Sequence, residues 1–300
     1  MLSICIPIYN FDITKLVKEL NNQSKLLNIK YEIVLIDDSS KHNFQEINKL
    51  LNKNESVKYI QLNQNIGRSK IRNLFLKHTK YDNLLFLDCD IKVLSNNFIN
   101  NYTNELNNKS EIICGGISYD TTKPKKNKHL RWKTRINKEC SSTHIRETKP
   151  YASFISANFV INKSILQNIR FNEELVGYGH EDTLFGYELK KSNISICHIH
   201  NPIIHLQTDT NLEFLLKTKN AIKNLVFIKN KTNNLDFDNS IKMLKFYKKY
   251  NKYLIKHVFY ALLKLIYPFI YIILLKSGRN QILYDIYKFT ILIQENNKWR

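Results

Sequence analysis

The chain has 300 residues, 43% of them hydrophobic and 24% charged, with a formal net charge of +20. That mixture excludes a disordered or collagen-like chain, and the length suits one large α/β domain with an appendage. The charge is segregated: residues 123–149 carry ten Lys or Arg against two acids, residues 217–300 carry seventeen against four, and the rest is near neutral.

The first half alternates strand and helix signals. SICIPI (3–8) reads as a buried strand rather than a signal peptide, since the opening LSICIPIYNFD is short and has no basic start. Residues 13–27 have helical spacing, with Asp12 or Thr14 as caps. YEIVLI (31–36) is a second strand ending at Asp37-Asp38-Ser39-Ser40, and a polar helix follows. VKYIQL (57–62) is a third strand, Ile66 to Lys77 a helix, and NLLFL (83–87) a fourth strand ending at Asp88. Such alternation predicts a doubly wound, mainly parallel sheet, with ligands beyond the carboxyl ends of its strands.

The pattern then loosens. IICGGIS (112–118) reads as one strand, and 120–149 as a long basic loop without periodicity. ISANFVI (155–161) resumes the apolar pattern, His180 to Lys190 reads as a helix, and NISICHI (193–199) as a strand. From about 211 the chain reads helical to its end. Five scattered cysteines (Cys5, Cys89, Cys114, Cys140 and Cys197) form no C-x-x-C pair. They argue against a zinc site or disulfide framework and for a reducing compartment.

Acidic residues collect where such a sheet would bind ligands. Asp88-Cys89-Asp90 sets two carboxylates just past a buried strand, the oxygen ligands that Mg²⁺ or Mn²⁺ takes alongside substrate phosphates. Alone the pair reads first as a solvated turn with two caps, and it points to a metal only in company. Asp37 and Asp38 read either as acceptors for a base or ribose or as an Asx turn. Arg68 and Arg72 suit phosphate contact or orientation of the acids. In Gly177-Tyr178-Gly179-His180-Glu181-Asp182 two acids occupy a first helical turn, as plain caps or with one serving as general base. His205 is a candidate third metal ligand, with His198 and His200 as competitors in the same run.

These blocks, in this order, resemble glycosyltransferase family 2, the inverting enzymes of GT-A fold: SICIPIYN, IVLIDDSS, NIGRSKIRN, LLFLDCDIKV and GYGHEDTLFGYEL. The last is similar to an acceptor-side segment of galactosyltransferase-like and chondroitin-polymerase-like domains. The resemblance implies a GT-A domain over 1–215, a Rossmann-like mainly parallel sheet flanked by helices, with a basic helical extension over 216–300. It also implies roles. Pro7 and Tyr9 would line the nucleobase site, Asp37 with Asp38 would recognise uracil or ribose, and Arg72 and Asp88 would serve the nucleotide. Asp90, Asp88 and His205 would hold Mn²⁺ or Mg²⁺. Asp182 would be the catalytic base, with Glu181, Tyr178 and Gly179 on the acceptor. Tyr178 stands where related segments often carry tryptophan, and DDSS lacks the usual glycine.

The implied activity is transfer from a nucleotide sugar, expected to be a UDP-sugar, to a glycan or lipid-linked hydroxyl in cell-surface polysaccharide synthesis. A nucleotidyltransferase-like or retaining transferase would use the same sheet and acids. A nucleic-acid-binding protein is suggested by charge alone; with no binding motif and an acidic site between the basic segments, no nucleic-acid partner is expected. Residues 253–275 are strongly apolar but interrupted by Lys256, Lys264 and Pro268. The clean run 265–275 is too short to span a bilayer. The expectation is an interfacial helix on an anionic membrane surface, hence a cytoplasmic protein peripheral at the inner face of the cell membrane.

Overall fold

The computed structural model describes residues 1–27, 29–108, 110–119, 122–206 and 208–299, with residue 138 described in its backbone only. The chain forms two compact units. One comprises Met1–Asp120, Cys140–Leu175 and Glu181–Gln207; the other comprises Thr121–Glu139, Val176–His180 and Thr208–Arg300.

In chain order the elements are β1 (Leu2–Ile8), α1 (Thr14–Leu26), β2 (Tyr31–Asp37), α2 (His42–Lys49), β3 (Val57–Gln61), α3 (Arg68–Leu74), β4 (Asn83–Leu87), β5 (Ile91–Val93), α4 (Phe98–Leu106), β6 (Ile112–Cys114), β7 (Ile117–Ser118), α5 (His129–Lys138), α6 (Thr143–Glu147), β8 (Asn158–Asn162), α7 (Lys163–Asn168), α8 (Glu181–Lys191), β9 (Ile196–His198) and β10 (Ile203–His205). The helices α9 (Asn211–Thr232), α10 (Leu235–Ser240), α11 (Lys242–Tyr250), α12 (Lys256–Ser277) and α13 (Gln281–Lys298) follow.

The first unit is built on a seven-stranded sheet in the order β3-β2-β1-β4-β8-β6-β9, beside a three-stranded sheet β5-β10-β7. Strands β3, β2, β1 and β4 are mutually parallel, and β8 is antiparallel to both β4 and β6. Period-2 alternation builds two cores. Ile4, Ile6, Ile33, Leu35 and Leu85 face one side, under Leu16 and Leu20 of α1 and Phe98 and Tyr102 of α4. Cys5, Val34, Ile36 and Phe86 face the other, under Ile71 of α3, Leu166 of α7, and Phe185 and Leu189 of α8. Both faces are covered, which is why these strands read as unbroken apolar runs. This is the GT-A architecture expected.

The structure corrects several boundaries. IICGGIS is not one strand: it divides at Gly115-Gly116 into β6 and β7, in different sheets. NISICHI is ordered as a strand only over Ile196–His198. Half of the supposed loop 120–149 is helical, as α5 and α6, with residues 120 and 121 outside the described residues. The pattern of α5 was hidden because arginine stems occupy its inner face. Leu130, Arg131, Thr134 and Arg135 are buried, and the Arg131 guanidinium lies 5.0 Å from the Phe214 ring centroid.

In the second unit α9 begins with a capping box, Thr210 accepting from the Glu213 N–H while Glu213 accepts from the Thr210 N–H. Pro268 does not break α12, which runs uninterrupted through it. Leu263 before the proline and Ile270 and Leu274 after it are buried, so packing on both sides offsets the lost backbone bond.

Candidate active site

The parallel strands deliver their carboxyl ends to one edge, and the expected acids stand there. Asp37 is the last residue of β2, in register with Ile8 of β1 and Gln61 of β3. It is wholly buried. Its Oδ1 accepts the Ser40 N–H at 2.6 Å and its Oδ2 accepts the Tyr59 hydroxyl at 3.0 Å. Asp38 accepts the N–H groups of Ile66 (2.7 Å) and Gly67 (3.1 Å) at the start of α3. Burial raises the Asp38 carboxyl above its ordinary range despite those bonds. Asn10 and Ser39 adopt left-handed backbone here. The Asn10 N–H donates to Ser40 Oγ (2.8 Å), and Asn10 Oδ1 accepts from the Lys41 N–H (2.8 Å). Beside this stitched turn, Pro7 is half-buried and Tyr9 is 54% exposed.

Asp88 and Asp90 follow β4. Arg72, buried on α3, donates from Nη2 to Asp88 Oδ1 at 3.0 Å and from Nη1 to the Arg68 carbonyl at 3.3 Å. Its guanidinium carbon sits 5.6 Å from the Phe171 ring centroid, and its Nε has no hydrogen-bond partner among the described residues. His205 arrives on β10, which pairs antiparallel with β5 so that His205 lies opposite Ile91. His205 Nδ1 is thereby 3.3 Å from Asp90 Oδ1. Ligand atoms of Asp88, Asp90 and His205 all lie within 4.8 Å of one another. Two carboxylates and one imidazole form a donor set suited to Mn²⁺ or Mg²⁺. Between the acids, burial and then the charge of Asp90 push the Cys89 thiol up to about 12, so it stays neutral.

The competing histidines are elsewhere. His200 is exposed. His198 is buried with Nδ1 3.0 Å from Arg146 Nη1 and Nε2 3.0 Å from the Pro150 carbonyl. A guanidinium only donates, so Nδ1 is the acceptor and Nε2 carries the proton. Arg146 also donates to the carbonyls of Cys114 (3.1 Å), Gly115 (3.4 Å) and Ile199 (2.7 Å), holding the turn where β6 gives way to β7.

Asp182 enters from α8. It shares a helix face with Phe185 and Leu189, both buried, and the Phe185 ring stacks on Phe171 at 4.1 Å. That face draws Asp182 inward. Its Oδ2 accepts the Ser156 N–H at 3.1 Å, while its Oδ1 is buried with no hydrogen-bond partner among the described residues. Burial and then the charge of Glu181 raise its pKa to about 6, against the pull of Arg72. Glu181, also buried, pairs with Arg68 at 3.5 Å. Ser156 was not foreseen as a site residue. It stands 26 positions from Asp182, and only the pairing of β8 against β4, which sets Asn158 opposite Leu87, brings it to this edge.

Tyr178 and Gly179 belong to the second unit. Lys217 Nζ lies 5.5 Å from the Tyr178 ring centroid, and Asn224 donates to the carbonyls of Val176 (3.2 Å) and Gly179 (3.0 Å). Gly179 has φ 105°, and a Cβ there would collide with Ala221 of α9, so glycine is required twice over.

The sequence model described as Glycosyl transferase family 2 matches residues 3–170. The chondroitin synthase of Pasteurella multocida (strain Pm70) is 28% identical over 223 residues, 63% of this chain and 23% of that protein. The chondroitin synthase of Escherichia coli is 28% identical over 225 residues, 63% of this chain and 32% of that protein. The chain therefore spans about a quarter to a third of the length of these relatives. Among solved structures, S. aureus TarS 1–349 in complex with UDP aligns over 100% of this chain and 91% of that one, with a TM-score of 0.52 and 18% identity. At that identity the likeness concerns the fold, which is the fold described above. The chain belongs to glycosyltransferase family 2 and is a glycosyltransferase.

Proposed function

We propose that the chain transfers a sugar, with inversion, from a UDP-sugar to a hydroxyl of a glycan or lipid-linked acceptor in cell-surface polysaccharide synthesis at the cytoplasmic face of the membrane. The observation that carries this reading is the Asp88–Asp90–His205 trio at the carboxyl edge of the sheet, its ligand atoms within 4.8 Å of one another. Chondroitin synthases and the UDP complex of TarS support the donor class and the polymer setting.

In this reading Asp88, Asp90 and His205 hold Mn²⁺ or Mg²⁺, with Asp90 the firmer ligand and Asp88 shared with Arg72 or the ribose. A bound divalent cation would neutralise charge developing on the leaving diphosphate. Arg72 fixes Asp88 and adds positive charge on the nucleotide side. Pro7 and Tyr9 give the base a surface. Asp37 and Asp38, whose oxygens are engaged by the protein, act as positioning residues that shape the turn beneath it. Glu181, with Tyr178 and Gly179, orients the acceptor. Asp182 Oδ1 takes the proton from the attacking hydroxyl, and a carboxyl raised to about 6 is mostly ionised at neutral pH yet basic enough to accept it.

A panel of UDP-sugars with Mn²⁺ or Mg²⁺ tests this, scoring UDP release and the anomeric configuration of the product. Metal-dependent release with inversion is expected. Retention of configuration, or release unaffected by a chelator, would overturn it.

A further inference from the structure

Helix α12 is inverted relative to an ordinary surface helix. Only a narrow strip of it is buried, at Leu263, Ile270 and Leu274. At about 100° per residue, Val258, Leu262, Leu265, Phe269, Ile272 and Ile273 fall on a broad opposite arc. All six are exposed, Leu265 by 70%. Scattered exposed leucines are normal on a soluble surface, but an apolar stripe this long and continuous marks an interaction site. By length and composition the helix could cross a bilayer, its most apolar 18-residue stretch having a mean hydropathy of 2.2. The uninterrupted run 265–275 stays too short by itself; the length is reached only by the whole helix, with Lys264 and Pro268 inside it.

Charge identifies the occupant. Between Asp238 and Asp285 the sequence has nine Lys or Arg and no acidic residue. Lys264 lies at the margin of the stripe, and Lys252 and Lys256 precede it while Lys276 and Arg279 follow it. Lysines at the ends and edge of an apolar stripe match an anionic lipid surface.

Packing identifies the orientation. The Tyr267 and Tyr287 rings stack at 5.4 Å between α12 and α13. Asn211 of α9 donates to the Leu275 carbonyl at 3.0 Å, and a Cβ at Gly278 would meet the Leu130 N–H group and Asn211. Crossing the bilayer would strip α12 from these partners or drag in α13, which carries Asp285, Lys288, Glu295 and Lys298. Lying in the plane of the surface keeps every one of these contacts.

We propose that the exposed stripe of α12 is a membrane-docking surface, seated in the plane of an anionic lipid bilayer with its flanking lysines among the headgroups. The proposal sharpens the cytoplasmic-face setting given above but is independent of the transfer chemistry, because vesicle binding and sugar transfer are separate readouts. The test is sedimentation of the full chain with phosphatidylcholine vesicles, with and without phosphatidylglycerol. The wild type is expected to bind the anionic vesicles. Leu262→Asp/Phe269→Asp should weaken that binding at least about tenfold with an unchanged circular dichroism spectrum, as both side chains are exposed. Lys256→Gln/Lys264→Gln should weaken it less and leave what remains less sensitive to salt. Three results would each overturn the proposal: wild-type protein left in the supernatant; bound protein that resists alkaline carbonate, as a spanning helix would; or a vesicle-independent oligomer that the aspartate pair dissolves, which would make the occupant a second copy of the chain.

Discussion

The acids at the end of β2 and those at the end of β4 stand on the same sheet edge, yet they meet opposite surroundings. Asp37 and Asp38 are saturated from within: four protein donors, three of them backbone N–H groups, reach their oxygens. Asp88 and Asp90 instead converge on His205, and Asp182 on α8 keeps one buried oxygen without a partner among the described residues. A position at the carboxyl edge therefore does not by itself decide what an acid does. The supply of local donors decides it. The Ser40 N–H after β2 engages Asp37, and the Ile66 and Gly67 N–H groups ahead of α3 engage Asp38, whereas Asp88 meets the Arg72 guanidinium and Asp90 meets His205.

The largest expected effect is at Asp182. Asp182→Asn removes the base and should lower kcat by roughly 10²–10⁴-fold, measured by UDP release with an intact circular dichroism spectrum. In the wild type, activity should fall as pH drops through about 6, where Asp182 takes up a proton. The trio comes next. Asp90→Asn or His205→Ala should cost at least the roughly 10–100-fold that loss of an outer-shell metal partner costs, and excess Mn²⁺ should restore part of it.

A third effect has the opposite sign. The native pKa of Asp182 is raised to about 6, above the roughly 3.9 of an unfolded aspartate. The folded state therefore binds more protons between those values, and Asp182 weakens the fold as pH rises through them. Asp182→Asn should raise stability at pH 7–8 by on the order of 2–3 kcal/mol, and the gain should vanish below about pH 4. Thermal unfolding across pH measures this. The smallest catalytic effect is expected at Asp37. Asp37→Asn keeps one acceptor but sets an amide against the Ser40 N–H or the Tyr59 hydroxyl, so stability should fall by about 1–3 kcal/mol while kcat changes little.

Much of this was legible in the sequence. The strands β1 to β4 could be read because both sheet faces are covered, and the acids could be placed at their ends. The three-residue strands β5 and β10 could not, being too short to show a period. Their pairing is what selects His205 over His198 and His200, by setting it opposite Ile91 and beside Asp90. The helix start at Glu181 was readable, but its environment was not, because Ser156 and Phe171 reach Asp182 and Phe185 only through tertiary packing. Helix α5 escaped because its buried positions include arginines.

The most direct test is kcat/KM for UDP-sugar transfer, measured side by side on the wild type, Asp182→Asn and Asp37→Asn. The predicted result is a loss of at least about 100-fold for Asp182→Asn and of no more than about tenfold for Asp37→Asn. Near-normal transfer by Asp182→Asn, or an equal collapse in both variants, would contradict the division of labour between the two groups of acids.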